Sequence, residues 1–597
     1  MTLRATQHDG THPRPTLMRE DWSSLDGTWS FAHDDEDRGL AERWYEPARE
    51  AVFTRSITVP FVPESEASGI HATGFHPVVW YRRTITARAE EGRRVLLHLG
   101  AVDHAAQVWV DGRLAGHHVG GQTSFTCDLT DLLDAGDEHV VVVRAFDDPH
   151  DMELPRGKQD WREEPHGIWY HRSTGIWRSV WLETVATQHV TGFHWEFDMP
   201  RARVEVSARL ARRPVPGTTV RVTLTAGEEH LGAVEIAAQD TRLQGVVDVP
   251  AVRNTQDRDR LLWSPEHPNL VDVTLEVLVG GEVVDTAASY LGLRTTGIDR
   301  GWFLLNGEPY FVRSVLEQGY WPTSHLTAPS LEAYREEVEL IKELGFTAAR
   351  VHQKVEDPRF LFWADRLGLL IWGETANAYA FSPRAAAALT DEWIEIVEQV
   401  RPHPSVVTWV PVNESWGVRD LADSAPQKDL TIALTALTRS LDPSRPVVSN
   451  DGYELTGGDI IALHDYATDG EELAAHYADE AATAATIAGR GPQRRRPIDD
   501  AAQGLTEGAP VMVTEFGGIA YAAEGTWGYA TVSGPEEFEE KVSSLFDALN
   551  ASPVLAGHCY TQITDTLQEA NGLATADRRP KLDPAVIRAF VTGRAPR

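Results

Sequence analysis

Short alternating runs of apolar and polar residues fill the first half of this 597-residue chain. Val78 to Ile85 (VVWYRRTI), Arg94 to Gly100 (RVLLHLG) and Ala105 to Gly112 (AAQVWVDG) each read as a strand with one buried face. Turn signals at Asp111-Gly112, Gly120-Gly121 and Gly136-Asp137 separate them, and Trp177 to Val185 closes the series. This spacing predicts a jelly-roll β-sandwich over residues 1–185. Residues 186–297 carry a second all-β pattern, with runs such as TTVRVTLTA and VDVTLEVLVGGEVVDTAASYLGLR. Its length and roughly seven short strands predict an immunoglobulin-like sandwich, without the Cys–Trp–Cys spacing of antibody domains.

From residue 298 to 597 apolar runs of strand length alternate with helical periodicity, which predicts a parallel α/β fold. The candidate strands are Tyr310–Gly319, Thr347–Gln353, Leu369–Glu374, Val406–Ser415, Pro446–Gly452, Ile460–Tyr466, Val511–Gly518 and Gly557–Asp565. Ser330 is a serine N-cap for a helix that runs toward Gly345, and Pro535 opens another helix at its first turn. Eight strands in about 300 residues predict a TIM barrel. An insertion, Ala485 to Gly508, interrupts it before the seventh strand. Its Arg494-Arg495-Arg496 triplet reads as a solvated loop paired with Asp499 and Asp500, or as an anion site.

Two of these runs end in a glutamate: VVTWVPVNESWG at Glu414 and APVMVTEFGG at Glu515. Barrel enzymes hold their chemistry at the C-terminal ends of the strands. A pair of carboxylates there is what double displacement at a sugar requires. The formal net charge of −34 excludes nucleic acid and anionic membranes as natural partners. Hydrophobic content of 42% and charged content of 24% are those of a soluble globular protein. Two distant cysteines, Cys127 and Cys559, build neither a disulfide framework nor a metal site, and Cys559 reads as a small core residue. No signal-peptide core or membrane-length apolar run stands out, so a cytoplasmic location is the expectation. The 19 tryptophans and 14 tyrosines suit stacking on sugars, although such rings also fill sandwich cores.

The motifs together resemble glycoside hydrolase family 2, the family of β-galactosidases, β-glucuronidases and β-mannosidases. RPTLMREDWSSLDGTWSF, LLHLGAVDHAAQVWVDGRLAGHHVGGQTSFTCDLT and TGIWRSVWLE are similar to its N-terminal domain. YLGLRTTGI, FLLNGEPYFVRSV, GFTAARVHQKVEDPRFLFWADRLGLLIWGE and RPHPSVVTWVPVNES are similar to its later signatures, in the same order. The resemblance implies that Glu414 is the general acid/base and Glu515 the nucleophile, with Asn413 donating to the sugar's 2-hydroxyl. It implies that Arg350 supports the nucleophile, and that His352, His464 and Tyr466 contact or orient the sugar. Glu317, Gln318 and Glu374 end strands and are candidates for hydroxyl recognition, as are Tyr560 and Gln562. The loop from Asp151 to Arg172 corresponds to one that reaches the barrel mouth in relatives, which makes Trp161 a candidate substrate contact, with packing of the loop between domains as the alternative. Neither a cofactor nor a metal is required, although some relatives use magnesium. Relatives are commonly dimers or tetramers, so a homodimer or homotetramer is possible by analogy.

Three departures bear on the glycone. No Asn-x-Lys follows Glu515, whereas β-glucuronidases grip their uronate with one; Lys354, Lys158 or the Arg494 loop would have to replace it. The eighth strand offers Tyr560, Thr561 and Gln562 where relatives carry a tryptophan platform, and the first ends in Glu317-Gln318-Gly319 rather than a histidine turn. The expected activity is a retaining exo-glycosidase of β-galactosidase type acting on a small oligosaccharide or glycoside. The alternative is a furanosidase, for β-galactofuranosides or α-L-arabinofuranosides; a β-glucuronidase is less favoured. A non-catalytic carbohydrate-binding protein would be expected to lack one of the two glutamates.

Overall fold

The computed structural model describes residues 3–593, leaving aside 134, 504, 506, 507 and 522–524. Alternation produces the first sandwich directly. In Arg93–Leu99 and Glu138–Phe146 the inward residues Val95, Leu97, Leu99, Val141, Val143 and Ala145 meet Trp29, Phe31, Val79 and Tyr81 in one core. A six-stranded sheet packs on a four-stranded one. The second sandwich has three strands on one sheet and four on the other, and strand Thr218–Ala226 buries every second residue over most of its length.

The third unit is a curled parallel sheet of seven strands. In barrel order they are Val312–Glu317, Ala348–Val351, Leu370–Glu374, Val406–Val410, Ile461–Asp465, Val511–Gly517 and Leu555–Thr561. Strand Val312–Glu317 pairs with Leu555–Thr561 across the chain's ends, as barrel closure requires. The fifth expected strand, Pro446–Gly452, forms no regular strand. It touches its neighbour through single parallel bridges, Trp409 to Val447 and Asn413 to Asp451. Pro411 explains part of this difference: it offers no N–H, and the regular run of the fourth strand stops at Val410. The helices follow their signals. Leu331–Glu343 is capped by the Ser330 hydroxyl, which accepts from the Ala333 N–H, and Pro535–Asn550 starts on its proline.

The three units are tied through buried polar contacts. Arg294, at the end of the second sandwich, donates to the carbonyls of Pro404 and Val406 at the start of the fourth barrel strand. Asp365 accepts from the Tyr290 hydroxyl at 2.7 Å, from His403 at 2.6 Å and from the Ser405 N–H at 2.8 Å. Gln122 of the first sandwich donates its backbone N–H to Glu392 and accepts from the Val355 N–H.

The insertion folds back on the loop after the fifth position, where Leu455–Gly457 pairs with Ile498–Gln503. Arg495 pairs with Glu454 at 2.8 Å and Arg496 with Asp500, whereas Asp499 is taken by Lys428. The arginine triplet is thus largely neutralised by carboxylates, one of them outside the insertion.

Removing the Tyr290 hydroxyl leaves buried Asp365 short of one donor. Tyr290→Phe should therefore cost about 1–3 kcal/mol. Calorimetric unfolding should register this as a lowered melting temperature of the transition that contains the second sandwich and the barrel.

Candidate active site

Four barrel positions converge on one guanidinium. Arg350 sits in the second strand, Ala348–Val351, and is fully buried. Its Nη1 is 2.7 Å from Glu515 Oε1, its Nη2 2.8 Å from Glu374 Oε2, and its Nε 3.3 Å from Asp451 Oδ2. Nη2 also donates to the Asn413 amide oxygen at 2.5 Å. With that oxygen held, the Asn413 amide presents only N–H donors to the rest of the site.

Glu515 lies inside strand Val511–Gly517 and is 5% exposed. Its second oxygen accepts from the Tyr466 hydroxyl. Burial pushes its pKa up, but the charges of His464 and Arg350 outweigh that and hold it down at about 2. It is therefore a carboxylate at neutral pH. Gly517 and Gly518 follow it with φ +88° and +66°, and a Cβ at Gly517 would lie 2.3 Å from the Tyr560 ring. Only glycine lets the chain turn there.

Glu414 is not at a strand end. The regular strand stops four residues earlier, and residues 412–414 run beside Asp451: the Asp451 N–H donates to the Val412 carbonyl and the Glu414 N–H to the Asp451 carbonyl. Glu414 and Ser415 both adopt left-handed backbone conformations, φ +47° and +58°. Ser415 is held there by the Asn450 side chain, which accepts from its N–H at 2.8 Å. Such φ values in non-glycine residues cluster at functional sites.

His464 connects the two glutamates. Its Nδ1 is 2.8 Å from Glu414 Oε1; its Nε2 is 3.1 Å from Asp451 Oδ1 and 3.4 Å from Glu515 Oε1. One donor atom from each of Glu414, His464 and Glu515 lies within 4.8 Å of the others. Burial would depress the imidazole, but Glu515, Asp451 and Glu414 raise its pKa to about 10. Both ring nitrogens then donate, one toward Glu414 and the other toward Asp451 and Glu515. A Cβ at Gly452 would lie 2.3 Å from the His464 ring, so glycine is what admits it.

The remaining candidates separate into those at the mouth and those behind it. Tyr466 reaches Glu515 and stacks on Tyr529 with ring centroids 3.5 Å apart. His352 faces Glu374 at 3.1 Å; burial, Lys158 and Arg350 depress its pKa far below the usual histidine range, so it is neutral. Gln318 donates to Gln562 at 2.7 Å.

Three expectations need correction. Glu374 is fully buried behind Arg350, so it holds the arginine rather than a sugar hydroxyl; burial raises its pKa to about 7. Glu317 accepts from the Gly319 N–H, and burial together with neighbouring Glu337 pushes its pKa well up; it belongs to the packing under helix Leu331–Glu343. Tyr560 has no exposed surface and packs against Phe516 and Phe546 on the helix side of its strand, so its ring offers no platform to a sugar. Side chains of a strand alternate faces; Glu317 and Tyr560 fall on the helix-facing set, whereas Glu374 shares the inward face of Leu370 and Trp372 and lies beneath Arg350.

The loop from Asp151 to Arg172 does reach the barrel. Trp161 lies edge-on to Trp169 and Tyr379, and Trp169 lies 6.0 Å from Trp416, two residues past Glu414. Tyr170 donates to Glu569 at 2.6 Å, and Tyr379 donates to the Gly157 carbonyl. Lys158 places its ammonium 5.8 Å from the Trp416 ring centre and 5.9 Å from that of Tyr170. Asp451, Tyr529 and Glu569 are site residues that the pattern reading passed over. Asp451 closes the fifth candidate strand, where the same strand-end logic would have found it. Tyr529 and Glu569 lie in loops with no periodic signal.

The chain matches three family models in sequence order: "Glycosyl hydrolases family 2, sugar binding domain" over residues 22–186, "Glycosyl hydrolases family 2" over 188–294, and "Glycosyl hydrolases family 2, TIM barrel domain" over 298–472. It is 28% identical over 403 residues to a putative beta-glucuronidase of Formosa agariphila, covering 63% of this chain and 45% of that one. It is 24% identical over 376 residues to a beta-galactosidase of Thermoanaerobacter pseudethanolicus, covering 62% and 48%. The matches thus span just under half the length of these two relatives. The beta-glucuronidase of Canis lupus familiaris is 26% identical over 507 residues, 76% of this chain and 73% of that one. Among solved structures, a b-glucuronidase from Ruminococcus gnavus superposes with TM-score 0.74 at 19% identity over 96% of this chain and 98% of that one. A GH2 beta-galacturonidase from Eisenbergiella tayi superposes with TM-score 0.73 at 18% identity over 97% and 98%. These likenesses show a shared fold.

The buried charges make stability depend on pH. The Asp451 pKa, pushed up by burial, is pulled down to about 2 by Arg350 and His464. A depressed carboxyl contributes stability that is present above its unfolded pKa of about 4 and lost as pH falls through the folded value. Asp451→Asn should unfold more easily than the parent by a constant amount from pH 8 to 5. That difference should shrink below pH 4, as read by denaturant titration across pH.

Proposed function

We propose that this chain, which belongs to glycoside hydrolase family 2, removes terminal β-linked sugars from glycosides with retention of anomeric configuration. The observation that carries the proposal is the pair Glu414 and Glu515, each with an oxygen within 4.8 Å of the other and of His464. Retaining enzymes hold their two carboxyl groups about 5–5.5 Å apart, whereas inverting ones leave about 6.5–9.5 Å for a water.

Glu515 is the nucleophile in this reading. A carboxylate held down at about 2 stays ionised, and Arg350 and Tyr466 fix one oxygen each. Its free electron pair attacks the anomeric carbon as the bond to the leaving oxygen breaks. Glu414 protonates that oxygen, and its partial exposure suits a group that must meet both a leaving group and an incoming water. It then takes the proton of the water that hydrolyses the ester. Asn413, its oxygen held by Arg350, turns its amide N–H toward the sugar's 2-hydroxyl, an interaction that strengthens at the transition state. The loop carrying Trp161 and Trp169 walls off one side of the mouth, which fits removal of a single terminal residue.

For the glycone we favour a galactoside. Gln318, held by Gln562, offers a hydroxyl-binding amide, and Glu569 is an acidic side chain that disfavours a uronate beside it. Two other glycones each have one observation behind them. A furanoside fits an eighth strand whose Tyr560 faces away from the site and gives a pyranose ring no platform there. A uronide fits Lys158, which pairs with no carboxylate among the described residues while Lys354 is taken by Glu356; the beta-glucuronidase and beta-galacturonidase names of relatives point the same way.

Glu515→Ala should lower turnover of a nitrophenyl β-glycoside by at least about 10⁴-fold, and azide should restore part of it as an α-glycosyl azide product of inverted configuration. Turnover persisting in that variant would remove the nucleophile assignment. A panel of nitrophenyl β-galactopyranoside, β-galactofuranoside, α-L-arabinofuranoside and β-glucuronide decides the glycone by the ratio of kcat/KM values. Leadership of the glucuronide, lost in Lys158→Ala, would transfer the assignment to uronides.

A further inference from the structure

Both nitrogens of His464 face carboxylate oxygens: Glu414 on one side, Asp451 and Glu515 on the other. A neutral imidazole has one N–H, so while Glu414 Oε1 carries no proton the arrangement is satisfied on both sides only by the imidazolium. The groups around the ring are Glu414, Asp451 and Glu515, the Arg350 guanidinium at 3.5 Å, and the Tyr453 ring at 6.2 Å. Neutral His352 and the Thr514 hydroxyl, which donates to Asp451, complete the surroundings. A cation has been placed between the two groups that would exchange a proton and a covalent bond with the sugar. Ordinary support of Glu515 does not need it, because Arg350 already supplies that.

We propose that His464 is the proton store of the reaction and acts through Glu414, the two side chains working as one acid and then as one base. The proposal rests on the glycosidase reading above. In the first step the bond from C1 to the leaving oxygen breaks and a bond from C1 to Glu515 forms. The leaving oxygen takes the proton on the outer oxygen of Glu414, and the His464 Nδ1 proton crosses to Oε1 to replace it. The site passes from imidazolium and ionised Glu515 to neutral imidazole and a neutral ester. Glu414 has the same protonation at both ends, and no net charge is created. In the second step water attacks C1, its proton enters the outer oxygen of Glu414, the Oε1 proton returns to Nδ1, and Glu515 leaves as the carboxylate. Esterification of Glu515 removes one of the negative charges that hold the proton on His464, so the proton is released when the leaving group needs it.

His464 is a positioning residue in this scheme, because it touches Glu414 and not the sugar. Its test therefore needs a readout that loss of packing would not move. His464→Gln keeps a donor for Glu414 but stores no proton. Its kcat/KM on a phenyl glycoside, whose leaving group needs protonation, should fall by about 10²-fold, the lower range for general acid catalysis. The basic limb of its pH profile should move to lower pH. A 2,4-dinitrophenyl glycoside, which leaves unaided, should lose far less. Equal losses on both substrates with an unmoved basic limb would overturn the proposal.

Should the variant fold poorly, ¹⁵N-histidine NMR on the parent protein gives an independent answer. The downfield imidazolium resonances of His464 should be present in the free protein and vanish when Glu515 is trapped by a 2-deoxy-2-fluoro glycoside. An imidazolium that survives trapping sinks the proton store and leaves the glycosidase standing. Absence of both trapping and turnover on every glycoside would instead bring down the reading on which it rests.

Discussion

The Arg350 guanidinium is the constraint around which the barrel end is organised. It is buried without exposed surface and shared among Glu515, Glu374, Asp451 and the Asn413 amide. A buried charge that loses its partners costs several kcal/mol. The second, third, fourth, fifth and seventh positions of the barrel must therefore arrive in one register for the cation to be satisfied. Such a cluster is weak evidence for net stability. What it supplies is geometry, since a planar fork with fixed donor directions holds the acceptors at set angles.

Around that cation the carboxyl groups differ by environment rather than by type. Glu515 and Asp451, each next to Arg350 and His464, are held ionised at about 2. Glu374 meets the same arginine, but burial and the nearby Asp451 charge raise it to about 7. His464 stays charged at neutral pH because carboxylates on three sides outweigh its burial. Lowering one carboxyl and raising a base beside it is how a single fold keeps an anion and a proton within reach of each other.

The mouth is assembled from two units, and this gives the N-terminal sandwich a part in the site. Its loop contributes Trp161, Trp169, Tyr170 and Lys158, and barrel residues Tyr379, Trp416 and Glu569 receive them. Deep anchors keep that loop in place: Arg156 on Asp147, and Gln159 on Asp103. An aromatic wall held by a buried ion pair and a buried hydrogen bond in one domain and completed by the loop after Glu414 in another ties the shape of the mouth to the docking of the two.

The architecture was legible in the sequence because period-2 and period-3.6 patterns are local, and so are a serine cap at Ser330 or a proline at Pro535. The paired glutamates were legible for the same reason: each closes an apolar run. The fifth strand, reduced to bridges beside Pro411, was overstated by a pattern that counts apolar residues and not hydrogen bonds. Facing was not legible either. Tyr560 and Glu317 occupy strand ends as much as Glu515 does, yet a rotation of one residue turns a side chain from the mouth to the helices, and Glu374 faces inward but is covered by Arg350. The sequence by itself determined the order of three domains, the barrel and the two carboxylates. Only the tertiary structure decided that Arg350, Asp451 and His464 meet between them, and that a loop more than 200 residues upstream lines their mouth. These are contacts between distant segments, and their energies depend on burial and on charges a few ångströms away, which no window along the chain contains.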